Sequence, residues 1–428
     1  MHYQSPISPG RSWYEDTAGK RPEYPPLDGS TACDVAIIGG GYTGLSAAVH
    51  LAKAGVSVVL IDQHRFGDGA SGRNGGQLGT GQRSGAEELE AEFGFERAKA
   101  LFDLAEEAKA HLLEFASVNN IDIDFRPGHL NVTHKARELP EFREHAEAMT
   151  ARFNYPHITL MDAAETAERV GSTHYVGGVR DTGAGHIHPL KLLIGTARVA
   201  KEAGAQLFEN TAATGIARQT GKIVVTTAHG TITADKCLVA VNAYGGDLEP
   251  VSAAHIMPIG SFIGATVPLG DDSPVLPGGE SVSDSRFVVR YFRKSKDGRL
   301  LFGGREIYAA SDPKDIHIHI RRQIAEIYPA LADVEITHGW GGYVGITMPR
   351  KPFVREVMPG VISAGGYSGH GVMLSNFTGK LYAETITGNR DRLRLLRELK
   401  IPAFPGGSLL RQPLLFLALN WYALRDRI

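Results

Sequence analysis

The chain has 428 residues, of which 43% are hydrophobic and 21% are charged, an ordinary composition for a globular protein long enough to form two domains. Its 45 Lys and Arg residues nearly balance 47 Asp and Glu residues, so no basic surface for nucleic acid is indicated. The two cysteines, Cys33 and Cys237, are too few for a disulfide framework or a zinc site, and no metal site is predicted. Residues 1–29 lack the apolar core of a signal peptide, and no apolar run is long enough to span a bilayer. A cytoplasmic enzyme is therefore expected.

The sequence after an extended, Pro- and Gly-rich arm predicts a strand–helix–strand unit. Residues 35–38 are apolar and mostly β-branched, which is the pattern of a strand buried on both faces. A glycine cluster and a helix of small residues over 43–54 follow, and Gly55 stands directly after them, where glycine often ends a helix. A second buried strand is predicted over residues 56–61.

Helices and strands alternate less regularly farther along the chain. Helices are predicted over residues 89–115 and 136–153, and a third begins at Pro189 and ends before Gly204. Dinucleotide-type glycine clusters stand near both ends of the chain, so we expect a second domain inserted into a dinucleotide-binding domain. Further strands are predicted over residues 205–216, 222–227, 231–241, 287–292, 300–303 and 361–364, and a last helix over 372–384.

Residues 39–44 match the G-x-G-x-x-G dinucleotide fingerprint between a strand and a helix. Gly39 permits the tight turn, Gly41 lets the backbone approach a pyrophosphate, and Gly44 lets the helix pack closely on the strand. The N–H groups and partial positive charge of the helix N-terminus favour phosphate. Asp62, about twenty residues farther on, can accept hydrogen bonds from ribose hydroxyls. The alternative is a structural glycine turn. The predicted contacts are Gly39, Gly41, Tyr42, Thr43, Gly44, Asp62 and Gln63.

A second glycine-rich run, residues 67–77, favours FAD over NAD. A nicotinamide site does not need such a run there, whereas a flavin ring needs backbone without Cβ atoms beside it. Ser71 and Arg73 are available for the pyrophosphate, and Asn74, Gly75 and Gly76 complete the predicted contacts. The alternative is a flexible surface loop.

A third glycine cluster, residues 365–371, lies between a buried strand and the last helix. The N-terminus of that helix, aimed at the pyrimidine end of a flavin, would stabilise the negative charge that builds there on reduction. Gly366, Gly369, His370 and Gly371 are therefore predicted cofactor contacts. Whether His370 contacts flavin or substrate, or is only structural, stays open.

These three clusters, in this order and spacing, resemble those of the D-amino-acid-oxidase-like flavoproteins, a family that includes glycine and sarcosine oxidases. The likeness is greatest to the γ-glutamylputrescine oxidoreductases. The resemblance implies an α/β fold, in which a doubly wound, Rossmann-type FAD domain is interleaved with a mixed-sheet α+β substrate domain. It also implies oxidation of a C–N bond to an imine, which water hydrolyses. It rests on residues 12–14, 69–77, 185–189, 257–261, 366–371, 404–407 and 421–422.

The resemblance also suggests domain bounds and the place where the adenine end of the cofactor binds. It places the backbone of Ala213 against adenine. The apolar segment 414–424 is expected to pack on the protein or on a partner subunit, and a membrane-surface helix serving a quinone is the alternative. Residues 1–30 form an arm, 31–90, 160–245 and 338–395 the FAD-binding domain, 91–159 and 246–337 the substrate domain, and 396–428 a tail.

Two departures from the family pattern concern the flavin. No cysteine stands in residues 340–343 and no histidine in 71–75, where some members tether the cofactor, so noncovalent FAD is expected. A lysine that promotes reaction with oxygen in some members is replaced here by Leu301. The electron acceptor, oxygen or another, is therefore left open.

The expected partner is a small amine, and its oxidation by hydride transfer depends on positioning more than on acid–base groups. A γ-glutamyl carboxylate favours a guanidinium partner, for which Arg305 is the first candidate; the alternatives are Arg293 in its place and a plain surface role for Arg305. Arg305, Tyr291 and His370 are the predicted substrate-positioning residues, although Tyr291 and Trp340 have the patterns of core aromatics too.

The predicted function is FAD-dependent oxidation of a γ-glutamylated polyamine such as γ-glutamylputrescine. One alternative is an amino-acid oxidase or dehydrogenase acting on glycine, sarcosine or a D-amino acid. Another is a noncatalytic flavoprotein. His186 and His188 flank a helix start and are predicted to be structural, because no third ligand stands at metal-site spacing.

Overall fold

The computed structural model describes residues 3–286, 288–307, 315–388 and 391–407, and at residues 305–307 and 391 the description covers the backbone only. Within these residues the chain forms two sheets, one of eight strands and one of ten. The predicted tail segment 414–424 lies outside the described residues. None of the described helices combines the length and apolar character that a membrane span needs.

The eight-stranded sheet has a parallel core made of the apolar runs seen in the sequence. Val35 and Ile37 belong to one hydrophobic cluster and Ala36 and Ile38 to another, as expected for a sheet covered on both faces. In spatial order the strands are β17 (Phe353–Met358), β18 (Val361–Gly365), β11 (Thr231–Val239), β2 (Thr31–Ile38), β3 (Val58–Ile61) and β8 (Gln206–Phe208), and a hairpin of β9 (Ala213–Gln219) and β10 (Lys222–Thr227) pairs with β11.

Helices cover one face of this sheet, and the β9–β10 hairpin packs on the other through Ile223 and Val225. The predicted unit of strand, helix and strand is present as β2, a helix over Tyr42–Lys53 and β3. The single strand predicted over 205–216 is found as two strands. After β8 the chain turns at Asn210, whose φ of 51° is left-handed, and β9 begins after this turn. The helices on the covered face are α2 (Tyr42–Lys53), α7 (Pro189–Glu202) and α10 (Gly371–Thr387).

The ten-stranded sheet is mixed, because β5 and β13 are parallel and their other neighbours are antiparallel. In spatial order it contains β1 (Gly10–Arg11), β16 (Ile336–Ile346), β12 (Met257–Pro268), β15 (Arg299–Ile307), β14 (Tyr291–Lys294), β13 (Ser281–Asp284), β5 (Arg126–Thr133), β7 (Gly177–His186) and β4 (Gln77–Leu78), while β6 (Ile158–Met161) pairs with β7.

The remaining helices lie around this second sheet and along the first. The single helix predicted over 89–115 is in fact two, because Gly94 takes a φ of 79° between them. They are α1 (Trp13–Thr17), α3 (Ala86–Phe93), α4 (Phe95–Val118), α5 (Leu139–Ala151), α6 (Ala163–Val170), α8 (Pro250–His255), α9 (Ile316–Ile327) and α11 (Asp391–Arg397).

Strands of the two sheets alternate along the chain. The points at which the chain passes from one sheet to the other differ from the predicted domain bounds. Strands β4, β7 and most of β16 fall in segments predicted for the FAD-binding domain, yet all three pair in the ten-stranded sheet. The strand pattern alone does not distinguish the two sheets, because a strand buried on both faces looks the same in either.

Candidate functional site

The glycine motif forms the tight junction between β2 and α2 that its spacing predicts. Gly39 takes a φ of 109°, and a Cβ atom on Gly44 would lie 1.9 Å from the Gly39 carbonyl oxygen. Gly41, at the N-cap of α2, is less crowded: an added Cβ would lie 2.9 Å from Ser71 Oγ. Gly39 and Gly44 are therefore needed for the turn and the packing of the apo fold, whereas Gly41 is not.

Two adjoining cavities begin at this helix terminus. The smaller, of about 130 Å³, and the larger, of about 680 Å³, share Gly41 and Ser71 in their linings. The smaller cavity is also lined by Gly39, Asp62, Gln63 and Ala213. The larger cavity is lined, among the predicted residues, by Tyr42, Thr43, Arg73, Asn74, Gly75, Gly76, Tyr291, Gly369, His370 and Gly371.

Asp62 ends β3 beside the glycine motif. Its Oδ2 accepts from the backbone N–H of Gly40 at 2.7 Å, and its Oδ1 accepts from the N–H of His64 at 3.0 Å. Burial raises the pKa of Asp62 to about 6. The carboxylate is thus held in place by backbone donors on the wall of the smaller cavity, where a ribose hydroxyl could reach a remaining lone pair.

The segment after β3 places Ser71 and Arg73 differently from each other. Ser71 Oγ accepts from the backbone N–H of Tyr42 at 3.1 Å, so it lies at the N-terminus of α2. The buried guanidinium of Arg73 instead donates through Nε to the Gly341 carbonyl and through Nη2 to the carbonyls of Pro9 and Gly10. The prediction that Arg73 is available for a pyrophosphate is therefore corrected: two of its nitrogens tie the N-terminal arm to β16.

The third glycine cluster brings the N-terminus of α10 to the larger cavity. Gly369 has a φ of 93° and nothing within 4 Å of an added Cβ. Burial lowers the pKa of His370, the N-cap residue, to about 3, so its ring is neutral near pH 7. Gly366 is not among the lining residues; it has a φ of 67° and packs against Thr347.

One face of the ten-stranded sheet forms a wall of the larger cavity, and Tyr291 is part of this wall. Its ring lies so close to two glycines that an added Cβ would be 2.9 Å from it at Gly75 and 2.2 Å at Gly303. Its hydroxyl lies 3.1 Å from Ser261 Oγ. Tyr291 thus walls the cavity, as one of the two interpretations of its pattern expected. The same wall includes Ile263, Ser283, Asn131 and Val179.

Three other residues considered from the sequence, all within the described part of the chain, do not line this cavity. Trp340 is fully buried and donates to the Arg73 carbonyl, so it is a core aromatic. Arg293 is buried and donates to the Gly75 carbonyl and to Tyr14 Oη, which is a structural role. Leu301 is buried in the hydrophobic core. The side chain of Arg305 lies outside the described residues.

The two histidines beside α7 have internal partners. His186 Nε2 lies 2.9 Å from the Gly279 carbonyl oxygen, and His188 Nδ1 accepts from the N–H of Lys191 at the start of α7. Burial lowers the pKa of both rings to about 3. These contacts agree with a structural role.

Two cavity residues were missed by the sequence analysis. Asp181 on β7 and His129 on β5 stand opposite each other in the sheet register, and both line the larger cavity. Burial lowers the pKa of His129 to about 4, and its Nδ1 lies 2.7 Å from Ser281 Oγ. No local motif marks either residue, because a pairing between distant strands brings them together.

The two connected cavities fit an extended dinucleotide with a ring system at one end. The α2 N-terminus lies where they meet, which is the position that favours a pyrophosphate. Backbone without Cβ atoms at Gly41 and Gly369 leaves room on that path. The residues present therefore fit FAD, with its adenosine half in the smaller cavity and its flavin in the larger.

Comparison with known proteins gives a consistent assignment. Residues 34–385 match the family model "DAO: FAD dependent oxidoreductase". The chain is 64% identical over 427 residues to "Probable oxidoreductase OrdL" of Rhizobium meliloti (strain 1021), with 100% of both chains covered. It is 36% identical over 420 residues to "Gamma-glutamylputrescine oxidoreductase" of Escherichia coli (strain K12), covering 97% of this chain and 98% of that protein. Its fold is similar to the crystal structure of glycine oxidase from Geobacillus kaustophilus, with a TM-score of 0.72, 21% identity, and 86% and 100% of the two chains covered.

Proposed function

Because the chain belongs to the DAO family of FAD-dependent oxidoreductases, we propose that it oxidises the C–N bond of a γ-glutamylated polyamine such as γ-glutamylputrescine. The predictions of the family, the fold class, an enzymatic function and FAD are confirmed by the comparisons. The substrate is our proposal, and it rests on the 36% identity over 97% of this chain to an enzyme of that name.

The cofactor contacts are proposed from the cavity linings. Gly41, Tyr42 and Thr43 would hold the pyrophosphate at the α2 N-terminus, and Asp62 would accept from ribose. FAD, when bound, supplies the acceptor for the hydride that leaves the carbon next to the amine. On the adenine side lie Gln63 and Ala213, and on the flavin side Ser71, Asn74, Gly75, Gly76, Gly369, His370 and Gly371.

The protein's own contribution is to position the amine beside the flavin in the larger cavity. Tyr291 forms part of the wall of this cavity. The ring of His370 is neutral near pH 7, so this histidine adds no positive charge to the cavity. The larger cavity, of about 680 Å³, would have to hold both the flavin and the substrate.

Anaerobic reduction of the flavin tests the substrate. The enzyme is mixed without oxygen with γ-glutamylputrescine, putrescine, glycine, sarcosine or D-alanine, and bleaching of the flavin absorbance is followed. We expect fast, complete bleaching with γ-glutamylputrescine and slow or no bleaching with the others. Faster bleaching by glycine, sarcosine or D-alanine would instead support an amino-acid oxidase or dehydrogenase.

A further inference from the structure

Asp181 is a buried carboxylate on the wall of the larger cavity, and only one of its two oxygens accepts hydrogen bonds from the described residues. Its side chain is only 3% exposed, and the cavity lining includes it. Its Oδ1 accepts from the hydroxyl of Tyr155 at 2.8 Å and from the N–H groups of Gly183 and Ala184 at 2.9 and 3.2 Å. Among the described residues, no donor reaches its Oδ2 and no cation pairs with it.

Three charged or titratable neighbours, His129, Lys109 and Asp284, form no ion pair with this carboxylate. His129, across the strand pair, is neutral near pH 7 because burial lowers its pKa to about 4. The buried Lys109 ammonium donates to Thr80 Oγ1 and pairs with Glu106. Asp284 lines the same cavity but forms an ion pair with Arg286. Since a buried charge is costly unless it is paired, Asp181 is suited to a cation that arrives with the ligand.

The proposed reaction indicates which cation this is. The nitrogen at the reacting carbon must be neutral when the hydride leaves, and an adjacent carboxylate would instead hold it protonated. A carboxylate in this wall therefore suits an ammonium group that does not react. In a γ-glutamylated diamine that group is the α-ammonium of the glutamyl moiety.

The position of Asp181 agrees with an elongated substrate. It lies on β7, three strands from Tyr291 on β14, which is about 14 Å across a sheet. The α-nitrogen and the reacting nitrogen of γ-glutamylputrescine are separated by about ten bonds, or roughly 12 Å when extended. A single ligand can thus extend from the Tyr291 side of the cavity towards Asp181.

We propose that Asp181 forms a subsite for a second, non-reacting ammonium group of the substrate. This inference rests on the proposed amine-oxidoreductase function and adds a requirement to it: the preferred substrates carry a cationic group at a distance from the amine that is oxidised.

The test combines one substitution with one change in the substrate. Asp181→Asn removes the charge but keeps an oxygen that accepts the three hydrogen bonds. Glutarylputrescine lacks only the α-amino group of γ-glutamylputrescine. We expect the D181N enzyme to show a KM for γ-glutamylputrescine raised about 10- to 100-fold, as for the loss of a charged hydrogen bond, with kcat little changed. Glutarylputrescine should bind the wild type similarly weakly, and the substitution should not weaken it further.

Tyr155→Phe is the matched control, because it removes a hydrogen bond to Asp181 but keeps the charge. We expect this variant to retain most of the preference for γ-glutamylputrescine over glutarylputrescine. Flavin content and thermal unfolding of each variant show whether it is folded. The preference of the wild type between the two compounds gives a test that needs no variant.

Several outcomes would overturn the subsite. They are equal weakening of both substrates by D181N, no weakening of either, and a wild type that does not distinguish the two compounds. If γ-glutamylputrescine does not reduce the wild-type flavin, the proposed function has failed and the subsite is tested by binding alone. Linear alkyl diamines and monoamines of equal length are then titrated against the flavin spectrum. A preference for diamines that D181N abolishes supports the subsite, and equal binding by both proteins refutes it.

Discussion

Replacing Gly41 with Val should prevent FAD from binding without preventing the protein from folding. The backbone of Gly41 is extended, with φ −82° and ψ −171°, a conformation open to any residue. Within 4 Å an added Cβ would meet only the Ser71 side chain. The apo fold should therefore accept a valine, while its branched side chain projects into the two cavities where the pyrophosphate is proposed to lie.

The expected size of the effect follows from ligand linkage. FAD at one hundred times its Kd stabilises the folded protein by about 2.7 kcal/mol. In a cooperative unit of about 150–250 residues, 1 kcal/mol shifts Tm by roughly 2–4 °C. The wild type should thus melt roughly 5–10 °C higher with FAD than without it. The G41V protein should melt at the wild-type apo temperature in both conditions and should be purified without flavin.

Two further glycines serve as controls. Gly44→Ala puts a methyl group 1.9 Å from the Gly39 carbonyl oxygen, so it should lower the stability of the apo protein itself by about 1–3 kcal/mol. Gly215→Ala meets nothing within 4 Å and should change neither property. Full flavin occupancy in the G41V protein would refute the placement of the pyrophosphate.

Four other predictions concern the flavin, the arm, acid stability and the acceptor. Acid precipitation should release the flavin into the supernatant, because Cys237 is fully buried in the core and the segment predicted for tethering has no cysteine; a yellow pellet would contradict noncovalent binding. Arg73→Lys should lower the free energy of unfolding in urea by about 1–3 kcal/mol, since lysine cannot replace the donors to three carbonyls; an unchanged urea midpoint would contradict this. Burial lowers the pKa of His188 from 6.5 to about 3, so its contribution to stability is complete above pH 6.5 and is lost as the pH falls. Between about pH 6 and 4 the wild type should lose roughly 1.4 kcal/mol per pH unit more than His188→Gln, and equal slopes in urea titrations would contradict this. The reduced enzyme should react slowly with oxygen and faster with a dye or quinone; stopped-flow reoxidation that is rapid in air-saturated buffer would identify an oxidase instead.

The parts of the fold predicted correctly are those specified by residues near one another in the chain. The junction of β2, α2 and β3 depends on a run of glycines at fixed spacing and on two short apolar runs. The helix break at Gly94 was missed because the apolar pattern continues across it, and only the left-handed φ of that glycine interrupts the helix. Likewise, no local pattern indicates whether β7 pairs in one sheet or the other.

In the candidate site, too, residues positioned by nearby sequence were predicted, and residues positioned by the pairing of distant strands were missed. Gly41, Asp62 and Ser71 lie at the cavities because each is positioned by a neighbouring turn or strand end. Asp181 and His129 meet only through the pairing of β5 with β7, which requires the whole sheet. Arg73 was predicted near the phosphates from its place in a glycine-rich run, but its long side chain turns away to the carbonyls of the arm.

Leu301 shows why the electron acceptor depends on more than the identity of one residue. A positive charge speeds the reaction of a reduced flavin with oxygen only if it lies where superoxide forms. Leu301 is buried in the core cluster and does not line the larger cavity, so the rate of reoxidation depends on the charged residues that do line it. The neutral His370 does not supply the charge either. Among the described residues, the arginines that line the cavity are Arg73, Arg83 and Arg350. The rate at which the reduced flavin reacts with oxygen should therefore depend on the electrostatic field of the charged residues in the cavity wall. Substitutions at Arg83 and Arg350, which line the cavity, are for this reason more informative than a lysine at Leu301, which does not.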